Sequence, residues 1–371
     1  MINYSINKII EFAKRVEEAT ILYDLEYMHH VIEEIKGILQ CDNNIELFFA
    51  VKANRNYKVI DSLAQAGIGF DIASMQEYQV VHKYIDNKIS ATGPSFTYNN
   101  IDVLLNNKVK FDFDNFNQLC RWRENSNLNV QRIGVRVKLN RELKEKKYIN
   151  CRGVESRFGI DIFSNEFLEF ITREKIIIER IHIHIGEYYD ISILDKILQE
   201  VEKMLLFFPC INSINWGGGY TYIAGRKEKF LLFGSKMSEF KRRIESDFRK
   251  SFKFIFEPGM LLIMASGYLV SKVLYSNIEN NVQNVVLNTS SWNLMEWVPK
   301  KIICIIRNEN KDKKMYTNIY GCSCYEDDIF VLNIETERLM PNDIIVWGYS
   351  GGYVSSMMRS LHGFTIEEKT I

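Results

Sequence analysis

Proline is scarce in this chain, with 5 residues in 371, and no proline-rich, glycine-rich or serine-rich stretch marks a linker. No run of about 18 apolar residues occurs, so no transmembrane helix is expected. The first residues, from Met1 to Lys8, lack the apolar segment and cleavage site of a secretory leader. Neither sign of charge dominates. Lysines plus arginines number 47 and aspartates plus glutamates 47, which leaves no bulk field to attract nucleic acid or an anionic membrane. The 7 cysteines are scattered and odd in number, as suits free thiols in a reducing cytosol better than a disulfide framework. What is present is an ordinary balance, 46% hydrophobic and 25% charged, with ample material for a core. A length of 371 residues allows two domains, or one large barrel with an appendage. The expectation is a cytoplasmic globular enzyme with no metal site.

The most informative residue is Lys52, within Leu47-Phe48-Phe49-Ala50-Val51-Lys52-Ala53-Asn54. A lysine at the end of an apolar, β-rich run is desolvated on its strand side, which favours the neutral, nucleophilic amine. A solvated lysine at a strand terminus is the plain alternative. The order of apolar runs narrows the choice. Short β-rich segments occur near 46–51, 67–72, 88–92, 109–113, 132–139, 177–185, 211–216 and 253–256. Helix-period stretches lie between them, at 59–66, 75–85, 99–105, 115–124, 191–208 and 238–249. Strands alternating with helices in this way fit a parallel eight-stranded β/α barrel. After residue 262 the pattern changes. Runs at 267–274, 284–287, 301–306, 328–332 and 343–346 have no long helices between them and read as an antiparallel β domain, to which the first 24 residues contribute. The fold class is therefore α/β plus β, with a barrel over 25–262 and a β domain over 1–24 plus 263–371.

Placed on that barrel, the chemically capable residues share one rim. Lys52 follows the first strand, and Asp71 and Ser74 end the second. Arg136 lies in the fifth, and His184, Gly186 and Glu187 end the sixth. Gly217, Gly218 and Gly219 follow the seventh, and Glu257, Pro258 and Gly259 the eighth. The carboxyl ends of the strands are where barrel enzymes hold their sites, and a glycine run after the seventh strand can bring backbone N–H groups to a phosphate.

These segments, in this order, resemble the fold type III pyridoxal-phosphate-dependent decarboxylases, the group of ornithine, diaminopimelate and carboxynorspermidine decarboxylases. The likeness runs along almost the whole chain. It is carried by Ala50-Val51-Lys52-Ala53-Asn54, by the segment from Phe70 to Glu77, by Ser156-Arg157-Phe158-Gly159 and by His182-Ile183-His184-Ile185-Gly186. Gly217-Gly218-Gly219, Glu257-Pro258-Gly259, Gly321-Cys322-Ser323-Cys324 with Asp328, and Gly351-Gly352-Tyr353 complete it. The resemblance implies an alanine-racemase-type barrel that binds pyridoxal 5'-phosphate and removes the α-carboxylate of an amino-acid-like small molecule. Lys52 would bond to the cofactor's aldehyde, Glu257 would face the pyridine nitrogen, and His184 would stack on the ring. Gly217, Gly218, Gly219, Gly259 and Tyr353 would hold the phosphate end. Asp71, Glu77 and Arg136 would form the polar support around Lys52, with a structural ion pair between Asp71 and Arg136 as the alternative. Strand alternation places His182 in the barrel interior as a core histidine. Cys324 would enter the partner subunit's site and return a proton to the substrate carbon, which implies an obligate homodimer. Tyr325, Glu326 and Asp328 would read the substrate, with Asp327 beside them.

The departures bear on substrate. Where relatives carry arginine after Glu-Pro-Gly this chain has Met260, which loses a bidentate anion partner. Where they carry serine after His-x-Gly it has Glu187, and after Cys324 it has Tyr325 in place of a carboxylate. These changes point to a non-standard substrate, free or carrier-linked, from specialised metabolism (siderophore, antibiotic or modified peptide) or from polyamine synthesis. Other readings stay open. A racemase on the same barrel is opposed by Glu257, since racemases place arginine at the pyridine nitrogen. A single-barrel cofactor carrier is opposed by the β domain. A catalytically degenerate relative acting as a binding or regulatory protein is supported by Met260 and Glu187.

Overall fold

The computed structural model describes residues 6–139, 156–294, 300–307 and 314–371. The spans expected for the two domains also take in 1–5, 140–155, 295–299 and 308–313, which lie outside the described residues. The chain separates into two compact units. One comprises Ile32–Lys52 and Leu63–Leu261, the other Met1–Val31, Ala53–Ser62 and Leu262–Ile371.

In the first unit, eight parallel strands close a barrel in chain order. With β1 (Thr20–Tyr23) belonging to the other unit, they are β2 (Ile45–Ala50), β3 (Gly69–Ile72), β4 (Ile89–Thr92), β5 (Lys110–Phe113), β6 (Arg132–Arg136), β7 (Ile177–His182), β8 (Ser213–Asn215) and β9 (Lys253–Phe256). β9 returns to β2, with Ile45 opposite Phe254. Helices alternate with these strands, as the sequence periodicity predicts. The one predicted over 191–208 runs Leu194–Phe207, and the one predicted over 238–249 begins earlier, as Lys227–Phe248. Leu47, Phe48, Phe49 and Ala50 of β2 form a continuous buried apolar run, as suits a strand covered on both faces. The barrel's inner face differs: Asp71, Ser90, Asp112, Arg180, His182 and Asn215 are all buried there. That interior polarity builds the site.

The second unit is a mostly antiparallel sheet. β10 (Gly267–Glu279), β11 (Val282–Leu287), β12 (Ile302–Ile306), β13 (Lys314–Tyr320), β14 (Ile329–Glu337) and β15 (Ile344–Trp347) lie in the order β12-β15-β10-β11-β13-β14. β1 pairs antiparallel with the start of β10, and β16 (Glu367–Thr370) pairs parallel with β1. A register shift between Val273 and Tyr275 lets β10 serve β15 and β1 with its first half and β11 with its second. Ile9, Ala13, Val16, Leu22, Val270, Ile344 and Val346 form one buried cluster beneath the sheet. Among the described residues no helix is long and apolar enough to cross a membrane.

Candidate active site

Lys52 sits in the 3-10 turn Val51–Ala53 that follows β2. The backbone leaves the sheet there, so the side chain is exposed and not desolvated on its strand side as the apolar run predicts. Its positive charge reaches Asp71 and His184. Asp71, on β3, is 6% exposed. Burial, reinforced by neighbouring Glu257, pushes its carboxyl well above the usual carboxylate range, while Lys52 pulls the other way.

Glu257 follows β9 and is fixed from both ends. Its backbone N–H donates to the Gly217 carbonyl at 2.7 Å. Its Oε1 accepts from Asn215 Nδ2 at 2.5 Å and from Ser90 Oγ at 3.0 Å. Its Oε2 faces His182 Nε2 at 3.4 Å. His184, two residues beyond His182, accepts the Gly218 backbone N–H on Nδ1 at 3.1 Å. A ring nitrogen that accepts an N–H carries no proton, so the imidazole is neutral. Burial, then Lys52, Arg136 and His182, drives its pKa well below the usual histidine range, in agreement with that tautomer.

Arg136 donates from Nη1 to Asp114 Oδ1 at 2.9 Å, and its guanidinium lies 4.6 Å from the Phe158 ring centroid. The ion pair is therefore Arg136–Asp114 and not Asp71–Arg136. Asp71 and Arg136 stand on the non-adjacent strands β3 and β6, whereas Asp114 directly follows β5, the neighbour of β6. Glu77 is also committed locally. Its Oε2 accepts the Ala73 N–H at 2.7 Å and its own N–H donates to Ser74 Oγ at 3.2 Å, which closes the start of the helix Met75–Val81.

The three glycines after β8 are demanded by crowding. Gly217 and Gly219 have φ of +60° and +91°. A Cβ on Gly217 would come 2.7 Å from His184 Nδ1, one on Gly218 would come 2.6 Å from the Glu257 carbonyl, and one on Gly219 would overlap the Gly186 carbonyl. Beside them Glu187 Oε1 accepts the Tyr222 N–H at 2.5 Å. Burial raises the Glu187 carboxyl, and the N–H groups of Tyr222 and Thr221 oppose that. Gly259 is buried next to Met260, the first residue of the short helix Met260–Ile263.

With this rim described, the sequence profile of the family "Pyridoxal-dependent decarboxylase, pyridoxal binding domain" matches residues 28–264. This chain belongs to the pyridoxal-dependent decarboxylases. It is 23% identical over 340 residues to the diaminopimelate decarboxylase of Methanocaldococcus jannaschii, covering 84% of this chain and 75% of that one. It is also 23% identical over 359 residues to the 2-[(L-alanin-3-ylcarbamoyl)methyl]-2-hydroxybutanedioate decarboxylase of Staphylococcus aureus, covering 90% and 88%. The solved diaminopimelate decarboxylase of Helicobacter pylori, complexed with L-lysine, superposes with a TM-score of 0.82 at 20% identity over 98% of this chain and 94% of that one. The protein is a fold type III, pyridoxal-phosphate-dependent decarboxylase.

The decarboxylase's remaining candidate residues lie in the β unit. Cys324 is exposed, and its backbone N–H donates to His362 Nε2 at 3.3 Å. Tyr325 is exposed and meets Trp292 edge-on at 4.6 Å. Glu326 is exposed. Asp328 departs from the substrate-reading role that the resemblance implies. It is buried, and its carboxylate accepts from Ser291 N at 2.7 Å, Ser290 Oγ at 2.9 Å and Ser323 N at 3.0 Å. It holds the loop that presents Cys324. Tyr353 has a left-handed backbone, φ +60°, and its N–H donates to the Ala53 carbonyl at 2.7 Å.

Sequence reasoning overlooked Asp112, Asp114, Asn215, Ser90 and Arg180. The signal was there: Asp112 stands between Phe111 and Phe113 inside a barrel strand, where a carboxylate is too costly to bury without a partner.

Proposed function

We propose that this decarboxylase removes the α-carboxylate of an amino acid or amino-acid-derived intermediate, in specialised metabolism or polyamine synthesis. The observation that carries the reading is the rim of the barrel, where an exposed amine, a neutral imidazole, a doubly hydrogen-bonded buried carboxylate and a glycine loop without room for Cβ occur together. Those features fit pyridoxal phosphate: an amine for its aldehyde, an uncharged ring for its ring face, a carboxylate for its pyridine nitrogen and bare backbone for its phosphate. When bound, the cofactor supplies the electron sink for the electrons left behind as carbon dioxide departs.

The chain's own residues orient and hold protons. Lys52 would carry the cofactor and yield it to the substrate amine, with Asp71 moderating its charge. Glu257, fixed by Asn215 and Ser90, would keep a proton on the pyridine nitrogen. His184, uncharged, would cover the ring without competing for that proton. Gly217, Gly218, Gly219, Gly259 and Tyr353 would receive the phosphate, and Arg136, pinned by Asp114, would belong with Asp71 and Glu77 to the polar support around Lys52. Cys324, on a loop braced by Asp328, would deliver a proton in the partner subunit of a cytoplasmic homodimer. Tyr325 and Glu326 are the exposed groups on that loop left to read the substrate tail. The domains assigned to these roles are 25–262 and 1–24 plus 263–371.

Support for a non-standard substrate comes from Met260, Glu187 and Tyr325. The Staphylococcus aureus relative adds to it, being named for a substrate in which an alanine unit is attached to a hydroxybutanedioate. The test is a screen for carbon dioxide release by the cofactor-loaded protein on basic amino acids, diaminopimelate, carboxynorspermidine and carboxylated, amide-linked intermediates. Release that disappears in Lys52→Ala supports the reading and names the branch. Failure to take up cofactor would overturn it in favour of a degenerate binding protein.

A further inference from the structure

The end of the barrel where the strands begin carries a group of side chains that the reading above leaves unused. Glu46, near the start of β2, has only 9% of its side chain exposed. Three ammonium groups converge on its two oxygens. Lys88, directly before β4, donates to Oε1. Lys253, the first residue of β9, donates to the same oxygen at 3.3 Å. Lys110, the first residue of β5, has its Nζ 3.7 Å from Oε2. Lys110 Nζ and Glu46 Oε2 are both buried, and neither makes a hydrogen bond among the described residues.

Asp112, two residues along β5, adds a carboxylate to this neighbourhood, but Arg180 already donates to it from Nε at 2.5 Å. Four basic side chains therefore stand against two acidic ones. Charges built only to tie the strands together would balance, because each further ammonium on one carboxylate is repelled by those already there. Burial, and then Lys253, Arg180 and Lys88, push the Lys110 amine down to about 7, with Asp112 opposing. The two outer lysines are open to solvent, with 50% of the side chain exposed at Lys88 and 31% at Lys253. Lys88 and Glu46 also line a cavity of about 390 Å³ with Phe48 and Gly69, room for a small solute. The other charged groups on its wall are engaged. Lys36 donates to Glu33 and to the Ala66 carbonyl, and Asp42 accepts the N–H groups of Asn44 and Ile45.

We propose that this end of the barrel is a second anion site, away from the glycine loop, which takes a small oxyanion with two negative charges at Lys88 and Lys253. The anion draws those two lysines to itself and leaves Lys110 to hold Glu46 one to one. With Asp112 already matched by Arg180, the group then has four positive and four negative charges. The body of an organic dianion enters the cavity beside Lys88, whereas an inorganic one needs only the lysines. The site shares no residue with those assigned to the cofactor, so it stands or falls separately from the proposed function.

Sulfate, doubly charged across the working pH range, is the first probe and succinate the second. Each is titrated calorimetrically into cofactor-loaded protein, with ionic strength held constant by sodium chloride. One saturable site with a Kd of about 1 mM or below is expected for at least one of them. Tighter binding of succinate would make the occupant a dicarboxylate, and tighter binding of sulfate a phosphate-like ion. The double variant Lys88→Met with Lys253→Met is expected to weaken binding about tenfold or more. Both side chains are partly exposed, and in anion-free buffer the double variant is expected to melt no lower than the parent, having shed two crowded charges. Glu46→Gln removes the competing carboxylate and is expected to bind the same probe about threefold or more tightly. No saturable binding of either probe overturns the proposal, as does binding that the double variant retains in full. A protein that takes up no cofactor sinks the reading of the active site, while the difference between parent and double variant still decides this one.

Discussion

The Glu187 carboxylate accepts the backbone N–H of Tyr222 at 2.5 Å, beside the glycine loop after β8. An anion thus already occupies backbone donors next to the place proposed for a phosphate. Glu187→Gln keeps an acceptor for Tyr222 but removes the charge, and is expected to bind pyridoxal phosphate about three- to tenfold more tightly, a gain of about 1 kcal/mol. Titration of cofactor-free protein followed by visible absorbance checks this. Weaker binding in the variant would mean that Glu187 assists the phosphate.

Asp71 ties stability to pH. Because its folded carboxyl is raised, chiefly by burial and then by Glu257, the folded protein holds that proton more tightly than the unfolded chain does. The stability this contributes is present in full below the unfolded value and is lost as pH rises through the folded one. In the cofactor-free protein, Asp71→Asn should therefore melt above the parent at about pH 8, the difference shrinking as pH falls toward about 5. Melting curves across that range decide it, and a constant difference would count against the raised carboxyl.

Two glycines make a matched pair. Gly219→Ala sets a Cβ against the Gly186 carbonyl at φ +91° and is expected to cost about 1–3 kcal/mol or more, with loss of cofactor retention. Gly37, in the helix Leu25–Leu39, has open space where a methyl would go, with nothing within 4 Å, and Gly37→Ala is expected to stabilise by about 0.5–1 kcal/mol. Denaturant unfolding of the two variants compares them directly.

Cys324 is exposed on its loop, and a site shared between subunits predicts complementation. On the proposed homodimer, Lys52→Ala and Cys324→Ala proteins should each be inactive or nearly so, while a mixture allowed to exchange subunits should regain part of the activity. Activity in the mixture no greater than the sum of the two would argue for a proton donor within the same chain.

Much of this was legible in the sequence because barrel strands covered on both faces announce themselves as apolar runs, and the eight runs fall on β2–β9. β13 and β16 escaped notice for the opposite reason. Lys314–Tyr320 mixes polar residues with its apolar ones, and Glu367–Thr370 has no apolar residue at all; both are held by backbone pairing to neighbours distant in sequence. The rim residues could be read because each ends a strand. The Arg136–Asp114 pair could not, since partner choice depends on which strands become neighbours once the barrel closes. Lys52 departs from its expected desolvation for a local reason: it lies in the tight turn Val51–Ala53 beyond the end of β2.

The register of β1 on β10 has one more consequence. Thr20 pairs with Val270 and Tyr23 with Gly267, so the sheet draws one of its strands from well before the barrel segment. A fragment beginning at residue 262 would retain β10 but leave the start of that strand with a bare edge where β1 had been. Bare edges of apolar strands recruit other chains. The β unit is therefore not a module that can be cut out and expressed alone: dissected from its leader segment, it should aggregate, and adding a peptide spanning Thr20–Tyr23 in trans should restore it to solution.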